Sequence, residues 1–340
     1  MLFRLTAASG LLLGRAAAFA FLATALGSAS AAPIDLGIAG GFNLFALGDV
    51  AIRNTEVRGA VAAGGALQAQ NFNINGAAAA GAARQSLVVG GDATLRSGQL
   101  GAGDAYVGGQ RSVSGIGFAG AFTSGAAPFS FEQAGTELLS LSALLSAIEP
   151  NAAVRFDPWG GAVFAGGSGG AGGPAALVFG VSGDQLLRLN RIDFEGLTAG
   201  QTLIINVSGA TAGLRNVDLS GFQPYNVLFN FFDAKDLLLT GIGLHGSILA
   251  PQATVSGGSG RIAGNVIVDQ WNSSLALGDG GYFRAADVGP AAAGPGAGSG
   301  IGTDTGSETR IAIASPFALI LLGAAALLLM PRLRRRTPQA

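Results

Sequence analysis

A short run of small or β-branched residues followed by two glycines recurs in the first third of the chain, at 60–65, 87–91 and 106–109. The glycine pairs lie 26 and then 18 positions apart. Two similar runs, 246–250 and 264–268, are again separated by 18 positions. Self-similar segments with periods in this range are typical of stacked coils, in which each coil buries its inward face against its neighbours.

The bounding residues agree with this interpretation. Gly, Asn and Asp, which permit sharp turns, flank strands of four to six residues. We therefore predict a mainly β fold over residues 32–288, a β-solenoid of the right-handed β-helix type. A β-sandwich with glycine-rich turns is the alternative.

One segment departs from the strand pattern. Ser130 is a candidate N-cap, and Pro150 follows the far end. The spacing predicts one α-helix over about 130–148, lying along the flank of the solenoid and covering strand faces. Apolar residues recur there at helical spacing: Ala134, Leu138, Leu141, Leu145 and Ile148.

Beyond this helix, the stretch 166–174 is glycine-rich and predicts a flexible loop. Short apolar runs then predict further strands at 177–179, 187–189, 203–207, 227–231 and 237–239.

The N-terminus has the three-part plan of a secretory signal peptide over residues 1–31. Arg4 and Arg15 precede an apolar stretch, and small residues follow it. We place cleavage by signal peptidase between Ala31 and Ala32, since a later cut would leave Pro33 next to the scissile bond. An uncleaved N-terminal anchor is the alternative, and it would export the same region.

The C-terminus predicts a transmembrane segment at 311–340. The run 311–330 is apolar and carries no charge, and about twenty such residues cross a bilayer as a helix. A Gly/Ala/Pro-rich spacer at 289–310 precedes it as a flexible linker. We therefore expect an exported protein, anchored in the membrane at the cell surface or secreted. The basic cluster that would hold a short cytoplasmic tail is Arg332, Arg334, Arg335 and Arg336.

Composition excludes several classes of function. The chain has 19 Lys and Arg against 20 Asp and Glu, and six of the arginines lie in the two end segments, so the exported region is net acidic. We predict no basic groove for nucleic acid. The sequence contains no cysteine, which excludes thiol catalysis and thiolate metal sites.

Particular residues carry a resemblance to a known family. The segments Gly40–Asp49 and Asn54–Gly65 resemble the opening of the choice-of-anchor A domain, and Val227–Ala234 with Gly246–Pro251 resembles its closing pattern. The resemblance implies a bacterial surface or secreted module, an adhesive β-helix that occurs with interchangeable C-terminal sorting signals.

The C-terminal layout is similar to the PEP-CTERM class of sorting signals. This similarity implies a membrane protease of the exosortase type as a partner. The chain departs from the class because Ser315 and Pro316 stand where Pro-Glu-Pro would be, nearer the related VPxxA tails. A permanent anchor is the alternative to processing.

Candidate catalytic chemistry is sparse, and we assign no catalytic, cofactor-binding or metal-binding residue. His245 is the single histidine, so a site with two or three imidazole ligands is impossible; a structural role is expected. Calcium is the one ion left open, although no EF-hand loop is present. Acids that could form a glycosidase pair are Asp184, Asp193, Glu195, Asp218, Asp233 and Asp236.

Four aromatic residues are candidates either for stacking on sugar rings or for burial, with burial favoured: Trp159, Trp271, Tyr225 and Tyr282. The leading hypothesis is a non-catalytic adhesive or extracellular-matrix protein that contacts polysaccharide or matrix. An ice- or polysaccharide-binding module is the second hypothesis, although no regular threonine array is present. A glycan-active enzyme is the third.

Overall fold

The computed structural model describes residues 33–76, 85–118, 120–125, 127–166 and 176–287. The predicted signal peptide, linker, sorting motif and basic cluster lie outside these residues, as does nearly all of the glycine-rich loop. Within the described ranges, no helix combines the length and the apolar character needed to cross a bilayer.

The prediction of a mainly β fold is confirmed. The two α-helices of the described part are α1 (Phe131–Ser146) and α2 (Gly183–Leu187), and the two short 3-10 helices are Gly37–Gly41 and Ser220–Phe222. The strands are β1 (Leu44–Ala46), β2 (Val50–Val57), β3 (Val61–Ala63), β4 (Leu67–Ile74), β5 (Gln85–Val89), β6 (Ala93–Leu100), β7 (Asp104–Val107), β8 (Arg111–Phe118), β9 (Phe122–Thr123), β10 (Ala153–Phe156), β11 (Gly161–Ala165), β12 (Ala176–Ser182), β13 (Arg191–Glu195), β14 (Thr202–Ser208), β15 (Thr211–Leu219), β16 (Asn226–Phe231), β17 (Asp236–His245), β18 (Ser247–Ala263), β19 (Val266–Ser273) and β20 (Ala276–Gly278).

The strands stack as successive turns of the chain. β1, β3, β5, β7 and β9 pair in parallel in that order, and so do β2, β4, β6 and β8. Every pairing in this large sheet is parallel among the described residues, which argues against the sandwich, because sandwiches are built from antiparallel sheets. The handedness of the winding stays a prediction.

The coils do not stack in the order of the sequence. Leu44 of β1 pairs with Val61 of β3 on one side and with Val266 of β19 on the other. The first coil of the chain therefore lies on its last coil, and the column of strands runs β12, β14, β16, β18, β19, β1, β3, β5, β7, β9. No pattern in the sequence predicts this junction.

The glycine pairs form the first corner of three successive coils. The amide of Gly90 donates to the carbonyl of Ala63 at 2.8 Å, and the amide of Gly108 donates to that of Val89 at 2.8 Å. A Cβ at Gly90 would collide with the carbonyl oxygen of Gly64 in the adjacent coil. The repeat therefore exists because successive backbones pass too closely for any side chain.

A second corner interrupts the long strands. Asn54, Asn71 and Ser97 have φ values of 52°, 49° and 52° and occupy equivalent positions in β2, β4 and β6. The inward side chains of β2 change parity at this point, from Val50 and Ile52 to Val57. One left-handed residue therefore turns the strand from one face of the coil to the next. Asn71 Nδ2 donates to Asn54 Oδ1 at 2.8 Å, which links neighbouring corners.

Helix α1 begins and packs as the sequence predicts. The Ser130 hydroxyl accepts the amide of Gln133 at 3.1 Å. Leu138 and Leu145 are buried against the outward side of the first strand column, including Phe45 and Ile204. This helix-covered face is separate from the interior of the coils, which forms the larger core.

The start of the stack carries a small extra sheet of β10, β11 and β13. It covers the open end of the core with Phe164 and Phe194. The strand predicted at 187–189 is wrong: Leu187 ends helix α2, and Arg188 is its C-cap. The cause is a capping box, in which the Ser182 hydroxyl accepts the Gln185 amide and the Gln185 side chain accepts the Ser182 amide.

Candidate binding surface

One face of the stack is flat, solvent-exposed and polar. We call it the polar face, and define it by the outward side chains of segments 254–257, 270–273, 50–53, 67–70 and 93–96, in stacking order. The inward residues of these segments alternate with them and are buried apolar side chains. Because adjacent strands lie about 4.8 Å apart, each outward residue has neighbours at that spacing along the stack.

The outward residues form two rows. The first row runs through Ser256, Asn272, Ala51, Gln68 and Thr94. The second runs through Arg53, Gln70, Arg96 and Ser114. The first row carries two amides and two hydroxyls, and the second carries two guanidinium groups and one amide, so the face offers hydrogen-bond donors and acceptors in register.

A groove lies between these rows. It has a volume of about 300 Å³ and is lined by Arg53, Gln68, Gln70, Thr94 and Arg96, with Ala69 at its floor. Ala69 is 2% exposed, so the floor is closed by the core.

A second hollow of about 250 Å³ adjoins the groove along Gln68. Its wall includes Gln270 and Asn272, and Ala51 forms its low point because a methyl group stands between two longer amides in the first row. The two hollows together extend across four successive coils.

Acidic residues lie at the corner that borders this face. Asp49 Oδ1 accepts the amide of Ala66 at 2.7 Å, and Asp92 Oδ1 accepts that of Gln110 at 2.7 Å. Each carboxylate therefore closes a turn between one coil and the next, as expected for Asp at tight turns.

His245 ends β17 and is half-buried. Burial lowers the pKa of its imidazole from the usual value, because the charged form loses hydration. No hydroxyl or carboxylate bonds to it among the described residues, and its structural role stays a prediction.

Four of the six candidate acids are engaged in local contacts. Glu195 pairs with Arg155, and Asp193 Oδ2 lies 3.1 Å from Arg191 Nε, both on the outer side of the small sheet. Asp233 Oδ1 accepts the Gly209 amide at 2.8 Å, and Asp218 Oδ1 accepts the Ser220 amide at 2.9 Å. The described part of the chain also contains no group of three His, Asp or Glu side chains placed to hold a metal ion.

The four aromatic candidates differ in burial, and stacking on sugar rings stays a prediction. Trp271 is 1% exposed in the core, and Tyr225 packs on Phe194 with ring centroids 5.2 Å apart. Trp159 is 80% exposed on a turn held by Asp157. Tyr282 lies near Gly59, and desolvation raises its pKa to about 12.

The polar face was not predicted as a site from the sequence. Its only signal in the sequence is alternation of polar and apolar residues in Leu67–Gln70 and Ala93–Arg96, and that pattern is common to exposed strands. The register between coils was needed to place Arg53, Gln70 and Arg96 in one row.

Comparison with known proteins gives one family match. The model of a family described as "Putative Ice-binding-like adhesive domain" matches residues 35–279. No curated protein matches the chain. One similar solved structure is an ice-binding protein from the Antarctic ascomycete Antarctomyces psychrotrophicus, with 13% identity and a TM-score of 0.40, covering 73% of this chain and 98% of that one.

Proposed function

The chain belongs to the ice-binding-like adhesive domain family, and from that membership we propose that it is a non-catalytic adhesive protein that attaches to extracellular polysaccharide or matrix through the polar face. The proposal includes export and display at the cell surface. It also includes the finer assignment to choice-of-anchor A proteins with a right-handed β-solenoid.

The polar face is the observation that carries this proposal. Its side chains stand on strands that pair on both sides, for example β4 between β2 and β6. Such residues are held at fixed spacing before any ligand binds, so little conformational freedom is lost on binding. Individually weak contacts repeated along a rigid ladder, and multiplied over many copies on a cell, produce firm attachment.

The engagement of four candidate acids in ion pairs and turns supports a non-catalytic role. Glycoside hydrolysis needs two carboxyl groups flanking one glycosidic bond. Asp233 and Asp218 instead cap local turns, and Glu195 is occupied by Arg155.

Ice binding is the second candidate, because the family description includes it. A face that orders water in a lattice would need a regular array of one small side chain. The first row of the polar face varies from Asn272 to Ala51 to Gln68 to Thr94. This variation favours adhesion to a polymer over ice.

Binding assays on purified residues 33–298 test the proposal, because both core clusters lie within this range. We expect retention on polysaccharide or matrix without release of shortened chains, and no thermal hysteresis in freezing solutions. Hydrolysis of the polymers, or hysteresis without polymer binding, would contradict it.

Processing at the C-terminus is tested separately on the producing cells. Mass spectrometry of the mature protein is expected to show loss of residues after about Ser315, as for exosortase-type processing. Recovery of Arg336 in the membrane fraction would instead support a permanent anchor.

A further inference from the structure

Arg53 and Arg96 stand on the same side of the groove with Gln70 between them. Two strand spacings separate their backbones, about 10 Å. Arg215 continues the same row further along the stack, through its register with Thr240 and Gly258. The row therefore presents guanidinium groups at intervals, with neutral polar groups between them.

These two arginines have no intramolecular counter-charge in the described part of the chain. Arg58, Arg155, Arg191 and Arg261 each lie within ion-pair distance of a carboxylate, whereas Arg53 and Arg96 do not. Neither row of the polar face contains an Asp or Glu. Asp49 lies outside both rows, at the second hollow, so the guanidinium groups of Arg53 and Arg96 make the groove the locally positive part of this face.

We infer that the groove binds an acidic polysaccharide, whose carboxylates pair with Arg53 and Arg96 and whose hydroxyl groups bond to the amides of Gln68 and Gln70. Guanidinium groups bind carboxylates with two parallel hydrogen bonds. Amide side chains both donate and accept, as sugar hydroxyls require. This inference rests on the proposed function, since it names the ligand class of the polar face.

The geometry favours a chain that lies along the stack. The strand spacing of about 4.8 Å is close to the length of one sugar ring in an extended polymer. Alternate uronate units then place carboxylates on the same side at the separation of Arg53 and Arg96. The second hollow continues the path over further coils with the neutral amides of Gln270 and Asn272, but Asp49 also lines it, so the carboxylates of the polymer are expected to bind at the groove.

The same groove suits other anionic partners poorly. Nucleic acid carries a denser charge and needs more cations than the two arginines of the groove supply. No exposed aromatic ring lines the groove for base stacking. A membrane surface would need exposed apolar side chains, which the rows lack between Ser256 and Arg96.

The test uses purified residues 33–298 and measures Kd for polygalacturonate, for neutral dextran and for duplex DNA. The groove variant is Arg53→Gln with Arg96→Gln. The matched control is Arg188→Gln with Arg284→Gln, which removes the same charge from exposed arginines outside the groove. Thermal unfolding of all three proteins verifies that the fold is retained.

We expect wild type and control to bind polygalacturonate equally, and the groove variant to bind at least about tenfold more weakly. Raising the salt concentration is expected to weaken wild-type binding, because exposed charges are screened. Equal Kd values for groove variant and control would overturn the inference, and so would groove-dependent binding of DNA without polygalacturonate.

Dextran separates the two proposals. Equal affinity for dextran and polygalacturonate would leave adhesion intact and refute the acidic ligand. Failure to bind either polymer, together with failure to bind matrix, would refute both.

Discussion

Asn43 and Asn265 hydrogen-bond across the junction of the first and last coils in opposite directions. Asn43 Nδ2 donates to the carbonyl oxygen of Gly264 at 2.6 Å, and Asn265 Nδ2 donates to that of Phe42 at 2.7 Å. Both side chains are fully buried. They join segments more than 220 residues apart in sequence. The stack is therefore continuous here, although the two neighbouring coils are distant in sequence.

Replacing Asn43 with Ala is expected to lower the free energy of unfolding by about 2–4 kcal/mol, because buried partners would lose their hydrogen bonds. Its amide also donates to Gly278 and accepts from Gly59. Urea denaturation measures the change. The exposed Asn73→Ala is the control, expected to change stability by less than about 0.5 kcal/mol, and equal losses in the two variants would contradict the role of the junction.

Gly90→Ala is expected to destabilise the protein by about 1–3 kcal/mol. The added methyl group would meet the Gly64 carbonyl oxygen, which is backbone and cannot rotate away. Gly41→Ala is the matched control, since nothing lies within 4 Å of the position that its Cβ would occupy. Thermal unfolding compares them, and a Tm for Gly90→Ala as high as that of the control would refute the close approach.

Ser142→Ala is expected to cost about 1–3 kcal/mol by leaving a buried acceptor unpaired. The Ser142 hydroxyl donates to Asn230 Oδ1 at 2.6 Å, and Asn230 Nδ2 returns a bond to the Ser142 carbonyl at 2.9 Å. Hydrogen exchange should show faster opening of α1. Ser140→Ala, on the exposed side of the same helix, should leave exchange unchanged, and similar exchange in both variants would show that the contact does not hold the helix.

We expect His245 to make the protein less stable as the pH falls. Because burial lowers its pKa in the folded state, the unfolded chain takes up a proton first as the pH falls through about 6.5. The contribution of His245 to the free energy of unfolding is complete above that pH. It is lost as the pH falls through the lower pKa of the folded state. Between about pH 8 and pH 5, wild type should therefore lose more stability than His245→Gln. Parallel stability curves would show that His245 does not titrate differently on folding.

Local features were predictable because their causes lie within a few residues. The glycine pair at 90–91 marks a corner since only glycine tolerates the approach of the next coil. Ser130 and the apolar spacing to Leu145 specify α1 and the face that it buries. The wrong strand prediction at Leu187 also has a local cause. A capping box a few residues earlier starts a helix, whereas the apolar triplet favoured a strand.

The sequence by itself therefore determined the class of the fold, through turn residues and periodicity. Only the tertiary structure decided that β1 lies on β19, and that Arg53 and Arg96 share one row with Gln70. These relationships depend on register between strands that are distant in sequence. Periodicity specifies which side chains point inward along one strand, but backbone pairing between coils specifies which outward side chains become neighbours.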